Sequence, residues 1–434
     1  MPGERRARGF RFHARIIEEA CTLQSALTEF SMAPQSHRDP LLLAVCALGV
    51  SQITVWGTSY YCLGVLASPI AAETSWSLTL IYFGFTVSLL VMGVVSAWAG
   101  RAIDRHGARA IMTAGTVIVS LGLYALSRVQ TEGAYLAVWA LIGAGMRLCL
   151  YDAAFAALVQ VVPSRGRLAI SYLTLFGAFA STIFWVLGHY LNEAGGWRQT
   201  LVVFAITNLL VCLPLNWIGL ARREAAGAAP DGAPEAAAAG SPTLEGRRRA
   251  VAMLLFALVM SLNGFVFSVA AVQLVPLLEG AGLATAAAVW IASLKGVAQF
   301  GGRVVEIVFG RNLHALTVGR IAIGVLPAAF ALLLFSGGAL SIIGAFTLLM
   351  GASQGVITIV RGAVPLALFG ANGYGAVLGV LATPVLIVNA ASPTLFALVV
   401  DGWGWHAGQI VLTAAAVASC GAMELMARWY RRSR

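Results

Sequence analysis

Charge is what this chain has least of. Only 11% of its 434 residues are Asp, Glu, Lys or Arg, against 59% hydrophobic residues and a mean hydropathy of +0.84. A soluble protein of this length needs a charged surface over two or three domains, so scarcity on this scale excludes one. Lysine is nearly missing: Lys295 stands alone against 27 arginines. The six cysteines form no C-x-x-C pair, and Cys46, Cys62, Cys149, Cys212 and Cys420 stand in apolar runs, which argues against a disulfide framework or a metal centre. No H-E-x-x-H and no G-x-x-x-x-G-K occurs, so zinc hydrolysis and ATP-driven transport within this chain are excluded, and no cofactor is expected. Ten-residue alternating segments are absent as well, which removes a membrane barrel.

What is present is long apolar runs. A helix needs about 20 apolar residues to cross the hydrocarbon layer, and the chain beyond residue 40 has room for roughly twelve such spans. We read them near 41–66, 77–99, 110–127, 134–160, 168–190 and 199–219, then 250–278, 282–303, 317–337, 339–364, 376–400 and 405–427. The expected class is therefore an all-α membrane protein, since a helix satisfies its own backbone in lipid. The divisions are an N-terminal arm over 1–40, a first six-helix bundle over 41–219, a linker over 220–249 rich in Ala, Gly, Pro and Glu, a second bundle over 250–427 and a tail over 428–434.

The net charge of +10 does not point to nucleic acid, because of where it sits. Of the 27 arginines, 23 fall in the arm, loops, tail or adjoining span ends of one side, Arg128 and Arg198 fall on the other, and Arg147 and Arg361 fall deeper inside spans. That asymmetry places both termini in the cytoplasm of a cell whose inner membrane the chain spans. Residues 1–40 hold no apolar core of a cleaved signal. Ile16, Ala20, Leu23, Leu27 and Phe30 are spaced for an amphipathic helix on the inner leaflet. The competing expectation is a loose terminus, or a stretch upstream of a native start at Met32.

One hydrophilic stretch is too regular to be filler. Gly100 to Arg109 reads G-R-A-I-D-R-H-G-A-R, expected as a loop in which Asp104 satisfies nearby N–H groups and Gly107 takes a positive φ. The stretch resembles the loop between helices 2 and 3 of the major facilitator superfamily, G-x-x-x-D-R/K-x-G-x-R/K, matched by Gly100, Asp104, Arg105, Gly107 and Arg109. Ala110 stands where that family usually has a further basic residue. The resemblance covers Leu41 to Arg428. It implies two pseudo-symmetric bundles around a site open alternately to each side, with Asp104, Arg105 and Arg109 helping to lock the inner gate against the other half. A degenerate second copy follows: Gly302, Arg303 and Glu306 repeat the spacing of Gly100, Arg101 and Asp104, and Gly310-Arg311 come after.

Charge inside a span is costly, so each instance is a candidate for function. Lys295 in the eighth span either meets an anionic solute or snorkels to the interface. Arg147 in the fourth span needs a carboxylate, a solute anion or several carbonyls, and Asp152 is the nearest acid. On an ideal helix five residues turn through about 140°, so direct pairing is expected to be poor. Asp152 is also a candidate proton carrier. Arg361 lines the cavity or pairs with Glu306 or Asp152, and Glu306 serves a gate salt bridge or a proton. The first span has a polar, aromatic middle, with Gln52, Trp56, Tyr60 and Tyr61. Asn263 in the seventh span, Trp185 in the fifth and Asn389 in the eleventh extend the set able to hold a small solute. Ser and Thr in membrane helices equally often bond their own backbone.

Phe176 to Gly188 contains no proline, unlike the fifth span of many drug/proton antiporters. The runs R-G-R-L-A-I from Arg165 and G-W-R from Gly196 resemble monocarboxylate and oxalate/formate carriers. Together with Arg147, Lys295 and Arg361, they lead to the expectation of a proton-linked or exchange carrier of small organic anions, working as a monomer. Efflux of drug-like or metalloid toxicants is the alternative, and a non-transporting nutrient sensor is the alternative of another class. Nothing suggests an enzyme, since no nucleophile is paired with a base.

Overall fold

A computed structural model describes residues 39–222 and 244–433, and the chain is helical almost throughout them. The amphipathic stretch expected over 16–30 and most of the linker expected over 220–249 lie outside the described residues. Before the linker come α1 (Pro40–Val55), α2 (Leu63–Thr74), α3 (Leu78–His106), α4 (Ala108–Leu126), α5 (Glu132–Cys149), α6 (Tyr151–Val161), α7 (Gly166–Gly177), α8 (Ala180–Thr207) and α9 (Leu213–Gly219). After it come α10 (Gly246–Val272), α11 (Leu274–Gly280), α12 (Thr285–Val305), α13 (Ala315–Leu334), α14 (Leu340–Phe369) and α15 (Tyr374–Ser433). We call these sets the first and second halves.

Nine helices among the described residues are long and apolar enough to cross a membrane. Two of them, Pro163–Gly219 with 57 residues and Tyr374–Arg432 with 59, are too long for a single crossing. At 1.5 Å per residue each would run about 85 Å, against a hydrocarbon layer of about 30 Å. Each turns back at one glycine, Gly196 (φ 75, ψ 171) and Gly404 (φ 79, ψ 173), in a region of backbone space open in practice to glycine alone. Both glycines are followed by tryptophan, Trp197 and Trp405, a correspondence between the halves. α12 is less apolar than the nine because it carries Lys295, Gln299 and Arg303. Counting it and the two turned helices, the architecture is consistent with twelve crossings.

Two of the interruptions in first-half crossings bear on the site. Between α1 and α2 the chain makes a π turn over Trp56–Tyr60. The hydroxyls of Thr54, Thr58 and Ser59 donate to carbonyls four residues back, which weakens the ladder. Gly57 is required there, since a Cβ would lie 2.2 Å from the Phe184 ring. Between α5 and α6 a single residue, Leu150 (φ −80, ψ −170), is extended. Its second-half counterpart, α14, runs unbroken over 30 residues.

The halves meet along α3 and the first part of α15, where small residues let backbones touch. A Cβ on Gly100 would lie 2.1 Å from the Gly375 carbonyl oxygen, and one on Gly379 would lie 2.5 Å from that of Ser96. The stretch 100–109 is not the expected loop. α3 continues to His106 and α4 starts at Ala108, so Gly107 (φ 85, ψ 142) is the whole connection. The second copy is helical too: α12 reaches Val305 and passes into a π turn over Glu306–Gly310. The membrane face bearing Gly107 is called the loop side below.

Candidate functional site

Helix ends and helix breaks position most of the polar groups. Asp104, in the last turn of α3, bonds the start of α15 and not its own turn. Its Oδ1 accepts from Gly375 N at 3.0 Å and its Oδ2 from Ala376 N at 2.7 Å. These are N–H groups left unpaired by a helix start, and the helix dipole favours a carboxylate there. Arg109 departs from the expectation of a contact with the other half: it lies 3.8 Å over the Trp217 ring of its own half. Arg105 is exposed. A cavity of about 420 Å³ opens beside this contact, lined by Asp104, Arg105, His106, Gln160, Asn372 and Tyr374 among others.

The second acidic contact lies between the π turn that follows α12 and α7. Glu306, 4% exposed, accepts from Arg167 Nη2 at 3.0 Å and from Ser171 Oγ at 2.9 Å. Arg167 also donates to the carbonyls of Gly310 and Leu313. One turn back from Glu306, Arg303 is only 6% exposed, so it is buried between helices and does not reach the membrane surface with the other arginines of that side. Its Nη1 donates to Thr174 O at 2.6 Å, while its Nε is buried without a partner and no carboxylate pairs with it among the described residues. Lys295, Gln299, Arg303 and Glu306 recur at spacings of four, four and three, the sequence signal of a polar helix face.

The third group is a buried triad. Asp152 Oδ2 lies 2.6 Å from Arg361 Nη2 of the second half and 3.3 Å from Arg147 Nη1. Arg147 and Asp152 are 2% and 6% exposed. The poor pairing expected of residues five apart does not hold, because the extended Leu150 resets the helix between them. Arg147 Nε also donates to Ser96 Oγ at 2.7 Å, and Ser96 Oγ donates to Gly379 O at 2.7 Å. Ser96 carried no signal in the sequence, being one of many serines in apolar runs.

Above the triad, away from the loop side, lies an aromatic cluster. Trp56 sits 4.7 Å from Tyr60 and 5.1 Å from Tyr151, and Tyr61 sits 5.3 Å from Tyr60 and 6.4 Å from Trp185 between ring centres. Trp185 Nε1 donates to Tyr61 O, a carbonyl at the break in the first crossing. The hydroxyls of Tyr60, Tyr61 and Tyr151 have no hydrogen-bond partner among the described residues, and all three side chains are partly exposed.

The remaining candidates are bound up with the protein itself. Gln52 is 0% exposed, with Nε2 donating to Cys149 O at 2.7 Å and Oε1 accepting from Trp56 Nε1 at 3.1 Å, so it stands behind the aromatic wall rather than in it. Asn263 pairs with Gln354 through their amides. Asn389, turned to donate, bonds Val385 O at 3.2 Å and Gly264 O at 3.0 Å. Lys295 Nζ donates to Ala270 O at 2.9 Å and lies 5.8 Å from the Phe267 ring centre. The structure thus gathers Arg147, Asp152 and Arg361 in one contact and places Lys295, Asn263 and Asn389 in contacts within the second half. The letters G-x-S-x-G from Gly351 to Gly355 lie inside α14, where Ser353 donates to Ala322 O, so they form no nucleophile turn.

A family model described as the Major Facilitator Superfamily matches residues 49–383. The chain is 27% identical to the multidrug resistance protein MdtL of Escherichia coli O81 (strain ED1a) over 188 residues, 43% of this chain and 47% of that protein. It is 25% identical to MdtL of Citrobacter koseri over 170 residues, 39% and 43% of the two chains. The chain therefore spans about half the length of the curated relatives it matches. Among solved structures, the human organic anion transporter MFSD10 (TETRAN) superposes with a TM-score of 0.70 at 16% identity, over 89% of this chain and 100% of that one. FucP from E. coli, described as in the outward conformation, gives 0.66 at 15%, over 89% and 99%.

Proposed function

Because the chain belongs to the Major Facilitator Superfamily, we propose that it carries a small carboxylate-bearing solute across a membrane by alternating access between bundles over 41–219 and 250–427. It is a transporter and not an enzyme. The observation that carries the anion reading is Arg303, a buried guanidinium with an unpartnered Nε and no acidic partner among the described residues. Its neighbours add to the surplus. Arg147 and Arg361 share the single Asp152, and Lys295 has only a backbone carbonyl and a ring. An uncompensated charge costs about 2.5–3.5 kcal/mol at the centre of a span on insertion scales and less toward a span end, where Arg303 lies, and a bound anion offsets that cost. Arg303 supplies the charge, and the free phenols of Tyr61 and Tyr151 supply donors to carboxylate oxygens.

In this reading Asp104, Glu306 and Asp152 close the loop side between solute crossings, and the arginine distribution supports a cytoplasmic position for that side, in a cell bounded by the inner membrane. A proton reaching Glu306 or Asp152 would cancel its ion pair, which is how a proton gradient would act on the gate; exchange against a second anion would do so through the solute site. One copy of the chain contains every group invoked, which suits a monomer. The likeness to an organic anion transporter is one of fold at 16% identity, and the anion reading rests on this chain's own charges.

The test is uptake of labelled lactate and benzoate by proteoliposomes under imposed pH gradients and with counter-anion inside. Arg303→Gln is expected to lower uptake at least about tenfold with insertion unchanged, the loss of one charged hydrogen bond. A parent protein that moves no carboxylate overturns the reading. The aromatic cluster and the MdtL match favour efflux of drug-like compounds as a second reading. Extrusion of a lipophilic cation dye from the same vesicles, kept in Arg303→Gln, would select it.

A further inference from the structure

We propose that Gln52 is a positioning residue that maintains the break at Leu150 and thereby holds Asp152 against Arg361 of the other half. A helix end leaves its last carbonyls unpaired, and in a membrane no water replaces the missing donors. Cys149 is the last residue of α5, and Gln52 Nε2 donates to its carbonyl at 2.7 Å. The other end of the amide is occupied by Trp56 Nε1 at 3.1 Å, which fixes its orientation. Trp56 in turn lies 5.1 Å from Tyr151, the first residue beyond the break. One fully buried side chain therefore joins the aromatic cluster to the interruption.

The interruption is what makes the triad. An unbroken helix would turn Asp152 through about 140° from Arg147, but with Leu150 extended both guanidiniums reach the same Oδ2. Without a donor at residue 52, the Cys149 carbonyl regains a partner only if the helix heals, and healing swings Asp152 away from both arginines. The contact across the halves then weakens, although Gln52 touches neither Asp152 nor Arg361. Anything that displaces Trp56 reaches the same contact by the same route, so occupancy of the aromatic cluster is linked to closure of the loop side.

The experiment needs no solute. Spin labels at Arg101 and Arg311, exposed residues of the two halves, report loop-side separation in the full chain in lipid nanodiscs, in a background with Cys21, Cys46 and Cys420 replaced by serine. Gln52→Leu is expected to lower the closed-to-open ratio about tenfold, as Asp152→Asn does, and the double variant is expected to add nothing further. A distribution unchanged by Gln52→Leu, or shifts that add, would overturn the proposal. Should Gln52→Leu fail to fold, Trp56→Phe keeps the ring and removes the donor that orients Gln52. A smaller shift in the same direction, absent in the Asp152→Asn background, is expected, and no shift counts against the proposal. The inference rests on alternating access and not on the solute. A parent showing one distance under every condition fails that reading, whereas two distances indifferent to residue 52 fail this one.

Discussion

Two acidic residues at related positions in the two halves each bond the opposite half by different means. Asp104 is exposed and binds backbone N–H groups at the start of α15, whereas Glu306 is buried and binds the side chains of Arg167 and Ser171. A backbone cap asks nothing of the side chains at 375 and 376 beyond small size. It asks instead for close approach, which Gly100 and Gly375 provide: a Cβ on Gly375 would lie 2.6 Å from Asp104 Oδ1. A side-chain contact tolerates a wider gap but needs the right partners. The first copy accordingly carries the shorter aspartate, and the second carries a glutamate, which is one methylene longer.

The comparison can be broken in order of expected effect, each time by the distance distribution between labels at Arg101 and Arg311. Glu306→Ala should cost the closed state most, about 3 kcal/mol. That is the low end for a buried ion pair, because Arg167 keeps the carbonyls of Gly310 and Leu313. Restoring a pair of opposite sense with Glu306→Arg and Arg167→Glu should recover part of it. Gly100→Val should cost about 2 kcal/mol by forcing α3 and α15 apart, and the two labels should then show a longer closed distance rather than only a smaller closed population. Asp104→Ala should cost about 1 kcal/mol, the usual value of a lost helix cap. Salt sharpens the contrast. Raising ionic strength toward 1 M, where the screening length falls to about 3 Å, should shrink the Asp104 effect and leave the Glu306 effect nearly intact. Equal salt sensitivity at both sites would mean that the exposure difference does not govern them.

Much of this was legible before any coordinates. The apolar runs, the spacing of Gly100, Asp104 and Gly107, and the need of Glu306 for a cationic partner follow from residue type and spacing, since insertion costs are paid locally. Arg303 was not legible, because a basic residue near a span end has the same signature whether it snorkels or lies between two helices. Nor was the pairing of Arg147 with Asp152, which an ideal helix forbids and one extended residue allows. Arg109 illustrates the same limit: its partner Trp217 lies more than a hundred residues away, and no local rule connects them.

The sequence by itself determined that this chain lies in a membrane as helices, that its two halves are related, and that a few charges must be held within it. Those are consequences of backbone hydrogen bonding and hydration, which act residue by residue. Only the tertiary structure decided which cation faces which carboxylate, where a helix breaks, and which guanidinium is left without a partner. Such pairings depend on distances of a few ångströms between residues as remote in the chain as Asp152 and Arg361, 209 residues apart, and these are settled by packing.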